Sequence, residues 1–185
     1  MTELKDEAKD NAPAYDSKDA DEREAVGPGS VLGHTETINR PRAEVYAFWR
    51  DFANLARVME NVAAVHTIDR DRSHWKVAGP GGEYEWDSVI TDDDPNRLIA
   101  WKSVDDAEVT NRGWIGFRDA PPGRGTCVTA VISYQPPGGL IGKAAAKLTQ
   151  KEPNIQTRRD LRRLKQFLET GEIATTTPPN PEPKA

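Results

Sequence analysis

Residues 83–103 of the chain read EYEWDSVITDDDPNRLIAWKS, two strand-like runs on either side of an acidic stretch. In the first run every second residue falls on one face: Tyr84, Trp86, Ser88 and Ile90. Ile99 and Trp101 continue that face in the second run. Alternation with a period of two predicts half-buried β-strands. The stretch therefore predicts an antiparallel hairpin that brings Trp86 and Trp101 to the same side.

The acidic stretch TDDDPN allows two interpretations, a turn or a metal site. Asp, Asn and Pro are common turn residues. A calcium loop needs ligands at alternating positions over about twelve residues, with glycine at the sixth. Here the three aspartates are consecutive and Pro95 follows them. The sequence favours a turn that closes the hairpin, and no metal site is expected.

The residues before the hairpin predict one strand and a bent helical pair. Residues 31–38 alternate weakly, and Pro41 suits the first position of a helix. Apolar residues then recur at helical spacing: Val45, Phe48, Trp49, Phe52 and Leu55. Such spacing indicates an amphipathic helix, and LARVMEN completes the pair after a break near Asn54.

More strands and a long helix complete the order of elements. Strand patterns cover residues 62–69, 73–78, 110–119 and 126–135, and short turns join most neighbouring strands, which predicts antiparallel pairing. LIGKAAAKLTQ suggests a short helix, and a longer one runs from Pro153 to about Thr170, with Gly171 as its C-cap. We expect an α+β fold with an antiparallel sheet of about seven strands and a long C-terminal helix.

Length and composition predict a single folded domain with two tails. The chain has 185 residues, of which 36% are hydrophobic. Residues 1–30 carry nine acids against four bases, and residues 174–185 are rich in proline, so both segments are expected to be disordered. The domain is then residues 31–173. Residues 31–170 hold 20 bases and 19 acids, which gives no reason to expect a nucleic-acid partner.

The single cysteine and the lack of a long apolar run suit a protein of the cytoplasm. Cys127 has no partner for a disulfide. The first residues lack a basic segment followed by an apolar one, and no apolar run approaches the ~18 residues of a membrane span. We expect a soluble cytoplasmic protein.

Several segments together resemble the START-like helix-grip superfamily, also called SRPBCC, in its polyketide cyclase/dehydrase-like and coenzyme Q-binding branch. They are NRPRAEVYAFWRDFANLARVMENV, DRSHWKVAGPGGEYEWDSVITDDDPNRLIAWKS, and YQPPGG followed by DLRRLKQFLETGE. The resemblance implies a curved antiparallel sheet that wraps around the long C-terminal helix, with a hydrophobic cavity between them. It implies binding of a lipid, quinone or polyketide-like molecule. No catalytic residue is shared across the superfamily, so none is carried over.

We predict that one sheet face lines this cavity. The candidate ligand-binding residues are Trp75, Val77, Tyr84, Trp86, Ser88, Trp101, Ile115, Phe117, Ile132 and Tyr134. A packed core would give the same pattern, and the resemblance favours a cavity. No cofactor is expected.

Two other functions stay open. One is a cyclase or dehydratase, whose catalytic residues are unknown and could include Tyr84, Tyr134 or His66. The other is an interaction module that acts through its tails.

The C-terminal region is basic and offers a second possible partner. Seven residues could contact an anionic membrane: Lys143, Lys147, Lys151, Arg158, Arg159, Arg162 and Arg163. Each basic residue near such a surface contributes about 1 kcal/mol to the free energy of membrane binding. A solvated helix face would explain the same charges.

Overall fold

The structure is a computed structural model that describes residues 30–79, 82–107, 109–135 and 153–174. Apart from residues 30 and 174, the predicted tails lie outside these ranges. The predicted short helix LIGKAAAKLTQ also lies outside them, together with Lys143, Lys147 and Lys151.

Seven antiparallel strands form one sheet in the order β1-β7-β6-β5-β4-β3-β2. The strands are β1 Ser30–Ile38, β2 Val62–Thr67, β3 Arg72–Gly79, β4 Gly82–Asp94, β5 Leu98–Ser103, β6 Thr110–Asp119 and β7 Thr126–Gln135. From β2 to β7, each strand pairs with the next one in the chain. Strand β1 pairs with β7 instead, so the first and last strands of the chain are neighbours. The predicted strand count and antiparallel pairing are confirmed.

The helices cover one face of this sheet, called the inner face below. Helix α1 spans Arg42–Arg50, a 3-10 helix spans Phe52–Arg57, and helix α2 spans Pro153–Thr170. The predicted long C-terminal helix is therefore confirmed. The helix pair is confirmed as well, but it breaks at Asp51 rather than near Asn54, and its second member is the 3-10 helix. Asp51 caps the 3-10 helix by accepting a hydrogen bond from the N–H of Ala53 at 3.2 Å. Within the described residues, no helix has both the length and the apolar character needed to cross a bilayer.

Helix α2 lies against β1 and encloses part of the core. Leu161 and Leu164 are fully buried beneath it. Arg40 Nε, just after β1, donates to the carbonyl oxygen of Leu168 at 2.6 Å. At the helix end Gly171 has φ 82°, and its N–H donates to the carbonyl oxygen of Phe167 at 2.8 Å. The predicted C-cap is confirmed.

The acidic triplet is part of a strand, so its prediction as a turn was wrong. Strand β4 continues through Asp94, and the three aspartates pair with residues 98–100 of β5. A register shift between Ile90 and Asp92 breaks the simple alternation before them. The turn comes afterwards, where the N–H of Arg97 donates to the carbonyl oxygen of Asp94 at 2.9 Å. Local turn preference was outweighed by pairing with β5 and by the side-chain bonds of Asp93 described below.

Candidate functional site

The register of β3 to β7 places the predicted ligand-binding residues on the inner face. Trp75 lies opposite Trp86, and Val77 lies opposite Tyr84. Trp101 is opposite Gly113, which in turn is opposite Ile132. The other predicted residues share this face by alternation along their strands. Tyr134 belongs to β7 by its backbone, but its side chain lies outside the described part of the chain.

Five rings pack together at the centre of the inner face, and we call them the aromatic cluster: Trp49, Phe52, Trp75, Trp86 and Trp101. The rings of Trp75 and Trp86 are stacked, with centroids 6.3 Å apart and planes 3° apart. Phe52 lies 5.5 Å from Trp75 and 6.0 Å from Trp101 between ring centroids. Trp75, Trp86 and Trp101 are each only 7% exposed. This part of the face is packed core.

Hydrogen bonds fix the indole rings of the sheet. The indole N–H groups donate from Trp75 to Ser73 Oγ at 2.9 Å, from Trp86 to Ser88 Oγ at 3.1 Å and from Trp101 to Asn111 Oδ1 at 3.0 Å. A buried indole N–H is costly without an acceptor. Ser88, predicted to orient a ligand, therefore orients Trp86.

A row of partly exposed residues crosses the inner face beside this core. Val62, Val77 and Tyr84 are opposite one another on β2, β3 and β4. All three are only partly buried, and so is Ile132 on β7. By contrast, Ile115 and Phe117 are 0% and 3% exposed. The predicted set thus divides into six buried residues and three accessible ones, Val77, Tyr84 and Ile132.

A buried carboxyl group ties α2 to the segment that precedes this row. Asp160 accepts hydrogen bonds from the N–H of Glu60 at 3.3 Å and from Gln156 Nε2 at 2.9 Å. Arg163 Nε donates to the carbonyl oxygen of Val58 at 2.8 Å. Burial raises the pKa of Asp160 from 3.8 to about 6, although both hydrogen bonds oppose the rise.

One polar group of three residues was missed by sequence reasoning. Asp93 accepts hydrogen bonds from Tyr46 Oη at 2.6 Å and from Arg50 Nε at 2.7 Å. Burial, followed by the bond to Asp93, raises the pKa of Tyr46 to about 12. Burial alone would raise the pKa of Asp93, but the two donors outweigh it and lower that pKa. The available signal was the spacing of Tyr46 and Arg50, four residues apart on α1.

The histidine candidate lies on the other face of the sheet. His66 is exposed and opposite His74. The ring of His74 contacts a carboxylate oxygen of Asp87 at 2.7 Å, beside the surface ion pairs of β3 and β4. Among the described residues no three His, Cys, Asp or Glu side chains are grouped so as to hold a metal. His66 is therefore remote from the aromatic cluster.

Comparison with known proteins identifies the family. A model described as polyketide cyclase / dehydrase and lipid transport matches residues 38–167. A curated relative is an uncharacterized 17.2 kDa protein in the melC2-rnhH intergenic region of Streptomyces lincolnensis. It is 26% identical over 132 residues, which cover 71% of this chain and 85% of that protein.

Solved structures share the architecture. DR_A0006 from Deinococcus radiodurans is 34% identical with a TM-score of 0.64, over 77% of this chain and 99% of that one. The di-domain ARO/CYC StfQ from the steffimycin biosynthetic pathway has a TM-score of 0.58 at 15% identity, over 75% of this chain and 50% of that one. At that identity the similarity supports the fold alone. The helix-grip resemblance is confirmed, and the chain belongs to the polyketide cyclase / dehydrase and lipid transport family.

Proposed function

We propose that the protein binds an apolar small molecule, such as a lipid, quinone or polyketide-like compound, between the inner face of the sheet and α2. The observation that carries the proposal is the row formed by Val62, Val77 and Tyr84. These side chains point inward from three adjacent strands and yet keep part of their surface accessible. Apolar surface of this kind gains free energy when a ligand covers it, about 25 cal/mol per Å².

The surroundings of the row suit a ligand site. Small-molecule sites are mostly apolar and have a few polar groups that orient the ligand. The stacked pair Trp75 and Trp86 forms a rigid wall next to the row, because its indole N–H groups are already bonded. Membership in a family that includes lipid transport supports the same assignment.

A pair of adjacent substitutions tests the location. Val77→Phe adds a ring to the inner face, whereas Ala78→Phe adds the same ring to the exposed outer face of the same strand. Native mass spectrometry of the purified protein should find a bound apolar species in the wild type and in Ala78→Phe. The Val77→Phe variant should lose it. Equal ligand content in the two variants would reject the location, and an empty wild type that takes up no added fatty acid would reject the function.

A second candidate is a cyclase or dehydratase acting on a polyketide-like substrate, and Asp160 favours it. This carboxyl group has a pKa of about 6, close to the pH at which an acid or base works best. Its bond to Glu60 places it near the start of β2, which carries Val62. In that role it would remove a proton from the carbon between two ketones, and that carbon would attack another ketone of the chain. The carboxyl group would return the proton to the alkoxide so formed, and a second proton removal would expel the new hydroxyl group as water. Asp160→Asn should then abolish conversion of a linear poly-ketone but keep its binding; unchanged conversion would exclude the role.

Contact with an anionic membrane is proposed as the route of loading. Arg158, Arg159 and Arg162 are exposed on α2, whereas Arg163 is held by the carbonyl oxygen of Val58. Replacing the three exposed arginines by glutamine should reduce sedimentation with phosphatidylserine vesicles, and the reduction should disappear at high salt. Equal sedimentation of both proteins would exclude this contact. A cytoplasmic location stays a prediction from the sequence.

A further inference from the structure

A half-open cleft lies on the flank of the molecule, between α1 and the turn that joins β2 to β3. Its volume is about 450 Å³, within the range of about 300 to 1,000 Å³ typical of small-molecule sites. Its walls include Tyr46, Ala47, Arg50, Phe52, Ser73 and Ile90. We call it the flank pocket.

The aromatic cluster separates the flank pocket from the row at Val77. Ser73 and Val77 lie four residues apart on β3, a distance of about 13 Å along a strand. Trp75 stands between them and contacts Phe52, which also lines the flank pocket. A molecule in the flank pocket would therefore touch different residues from a ligand at Val77.

The walls of the flank pocket are held in place by hydrogen bonds. Arg50 donates to Asp93 at 2.7 Å, to Asp71 at 3.0 Å and to the carbonyl oxygen of Arg70 at 3.1 Å. It thereby joins α1 to β4 and to the β2–β3 turn. Within the turn, Asp69 accepts hydrogen bonds from the N–H groups of Asp71 and Arg72 at 2.9 and 2.8 Å. The cavity is thus formed before any ligand binds.

Between these walls lie apolar groups together with the hydroxyl groups of Tyr46, Thr67 and Ser73, of which the Tyr46 hydroxyl is already bonded to Asp93 at 2.6 Å. Ala47, Phe52 and Ile90 supply methyl, ring and alkyl surface. Ser73 is 4% exposed, and its Oγ accepts the indole hydrogen of Trp75 at 2.9 Å. No acceptor for the hydroxyl hydrogen of Ser73 is found among the described residues. Ser73 is among the lining residues, and a buried hydroxyl donor without an acceptor is costly, which favours a hydrogen bond from it to a bound molecule.

The charges around the flank pocket balance. Three bases and three acids line it: Arg50, Arg70, Arg72, Asp51, Asp69 and Asp71. Arg50 is paired with Asp71 at 3.0 Å and with Asp93 at 2.7 Å, so its charge is already compensated. Arg70 contacts Asp71 only at 3.9 Å, but its side chain is 87% exposed, so a charged ligand would exchange its hydration for an attraction that solvent screens. The lining therefore suits an uncharged molecule.

We infer that the flank pocket is a separate binding site for a small uncharged molecule with an apolar body and one carbonyl group, whose oxygen accepts the hydroxyl hydrogen of Ser73. The apolar body covers Phe52, Ile90 and the methyl group of Ala47. A ketone, ester or amide of about the size of one aromatic ring meets these requirements.

Acetophenone, toluene and benzoate are suitable probes, because they share one ring and differ in the group attached to it. Binding is followed by backbone amide shifts of the full-length protein during titration. Acetophenone should shift the amides of Ala47, Arg70 and Ser73 and bind more tightly than either other probe. Toluene lacks the acceptor, and benzoate carries a charge. Toluene or benzoate binding as tightly as acetophenone would overturn the assignment.

Two substitutions on α1 test the location. Ala47 lines the flank pocket and Ala43, one turn earlier, does not; both are exposed, so both should accept a larger side chain. Ala47→Phe should weaken acetophenone binding at least tenfold, a change of about 1.4 kcal/mol. Ala43→Phe should leave the affinity within about twofold. Equal affinity of the two variants would overturn the proposal.

The donor and the independence of the site are tested separately. Ser73→Ala should weaken acetophenone binding about five- to tenfold, the effect of one hydrogen bond, without changing toluene binding. An equal loss for both probes would overturn the role of the hydroxyl group. Val77→Phe should leave acetophenone binding unchanged, so the flank pocket stands even if no ligand binds at Val77. Loss of acetophenone binding in Val77→Phe would show that the two sites are one.

Discussion

Replacing Asp160 by asparagine should change how the stability of the fold depends on pH. The carboxyl group is partly buried between α2 and the segment before β2, where it accepts bonds from Glu60 and Gln156. Burial raises its pKa in the folded protein from 3.8 to about 6. The folded state therefore keeps this proton over a pH range in which the unfolded chain has lost it.

The size and sign of the effect follow from proton linkage. Below pH 3.8 the group is protonated in both states, and its contribution to stability is fully present. Between pH 3.8 and about 6 the free energy of unfolding falls as the pH rises, because Asp160 loses its proton in the unfolded chain and keeps it in the folded protein. Each pKa unit is worth about 1.4 kcal/mol, so the loss is about 3 kcal/mol by pH 7.

Urea unfolding of the wild type and Asp160→Asn at a series of pH values measures this loss. Other groups titrate in both proteins, so the difference between their free energies of unfolding isolates Asp160. Relative to the wild type, the variant should gain about 3 kcal/mol between pH 4 and pH 7. Asp105→Asn is the control, because the side chain of Asp105 is 94% exposed. The difference in free energy of unfolding between this variant and the wild type should not change with pH. A flat difference for Asp160→Asn would refute burial of this carboxyl group.

Three further predictions concern packing and the buried polar group. Gly113→Ala should destabilise the fold by about 1 to 3 kcal/mol, because the added Cβ would lie 2.5 Å from a carbonyl oxygen of β7. Gly33→Ala is the control, since its Cβ meets only an ordinary contact at 3.6 Å and the stability should change little. Equal effects of the two variants in urea unfolding would contradict this. Trp86→Ala should cost about 3 to 5 kcal/mol in the same assay, and a loss under about 1 kcal/mol would show that the ring is not core. Asp93→Asn should lower the pKa of Tyr46 from about 12 toward 10, read from phenolate absorbance. An unchanged titration would exclude the Tyr46 to Asp93 bond.

The sheet could be predicted because its sequence signals agree with its tertiary contacts. Alternation in residues 83–103 put Trp86 and Trp101 on one side, and the strand register does the same. Each turn between consecutive strands is short, so pairing follows chain order from β2 to β7. The alternation along each strand and the pairing between strands therefore indicate the same fold.

The acidic triplet shows where local signals fail. Aspartates favour turns because their side chains bond to nearby backbone, but Asp93 is bonded to side chains 43 and 47 residues away in the chain. Such partners are not visible in a short stretch of sequence. The same limit applied to Arg50, whose partners lie on β4 and on the β2–β3 turn.

Alternation also could not separate core from accessible surface within the inner face. Trp86 and Tyr84 are two residues apart on the same face, yet Trp86 is 7% exposed and Tyr84 is only partly buried. The difference comes from what covers each residue. Trp86 is stacked on Trp75, which Phe52 covers in turn. That covering layer comes from a different segment of the chain, so alternation within a strand could not show which residues stay accessible.

Nuclear Overhauser effects from a bound ligand to methyl groups show whether an apolar molecule lies against the row at Val62 and Val77. Protein labelled at valine and isoleucine methyls is saturated with a fatty acid and, separately, with 1-naphthol. Effects from at least one probe should reach Val62 and Val77, which are partly exposed, and should not reach Ile99 or Ile115, which are 0% exposed. Effects confined to Ile99 and Ile115, or none at Val62 and Val77 with either probe, would show that no ligand lies there.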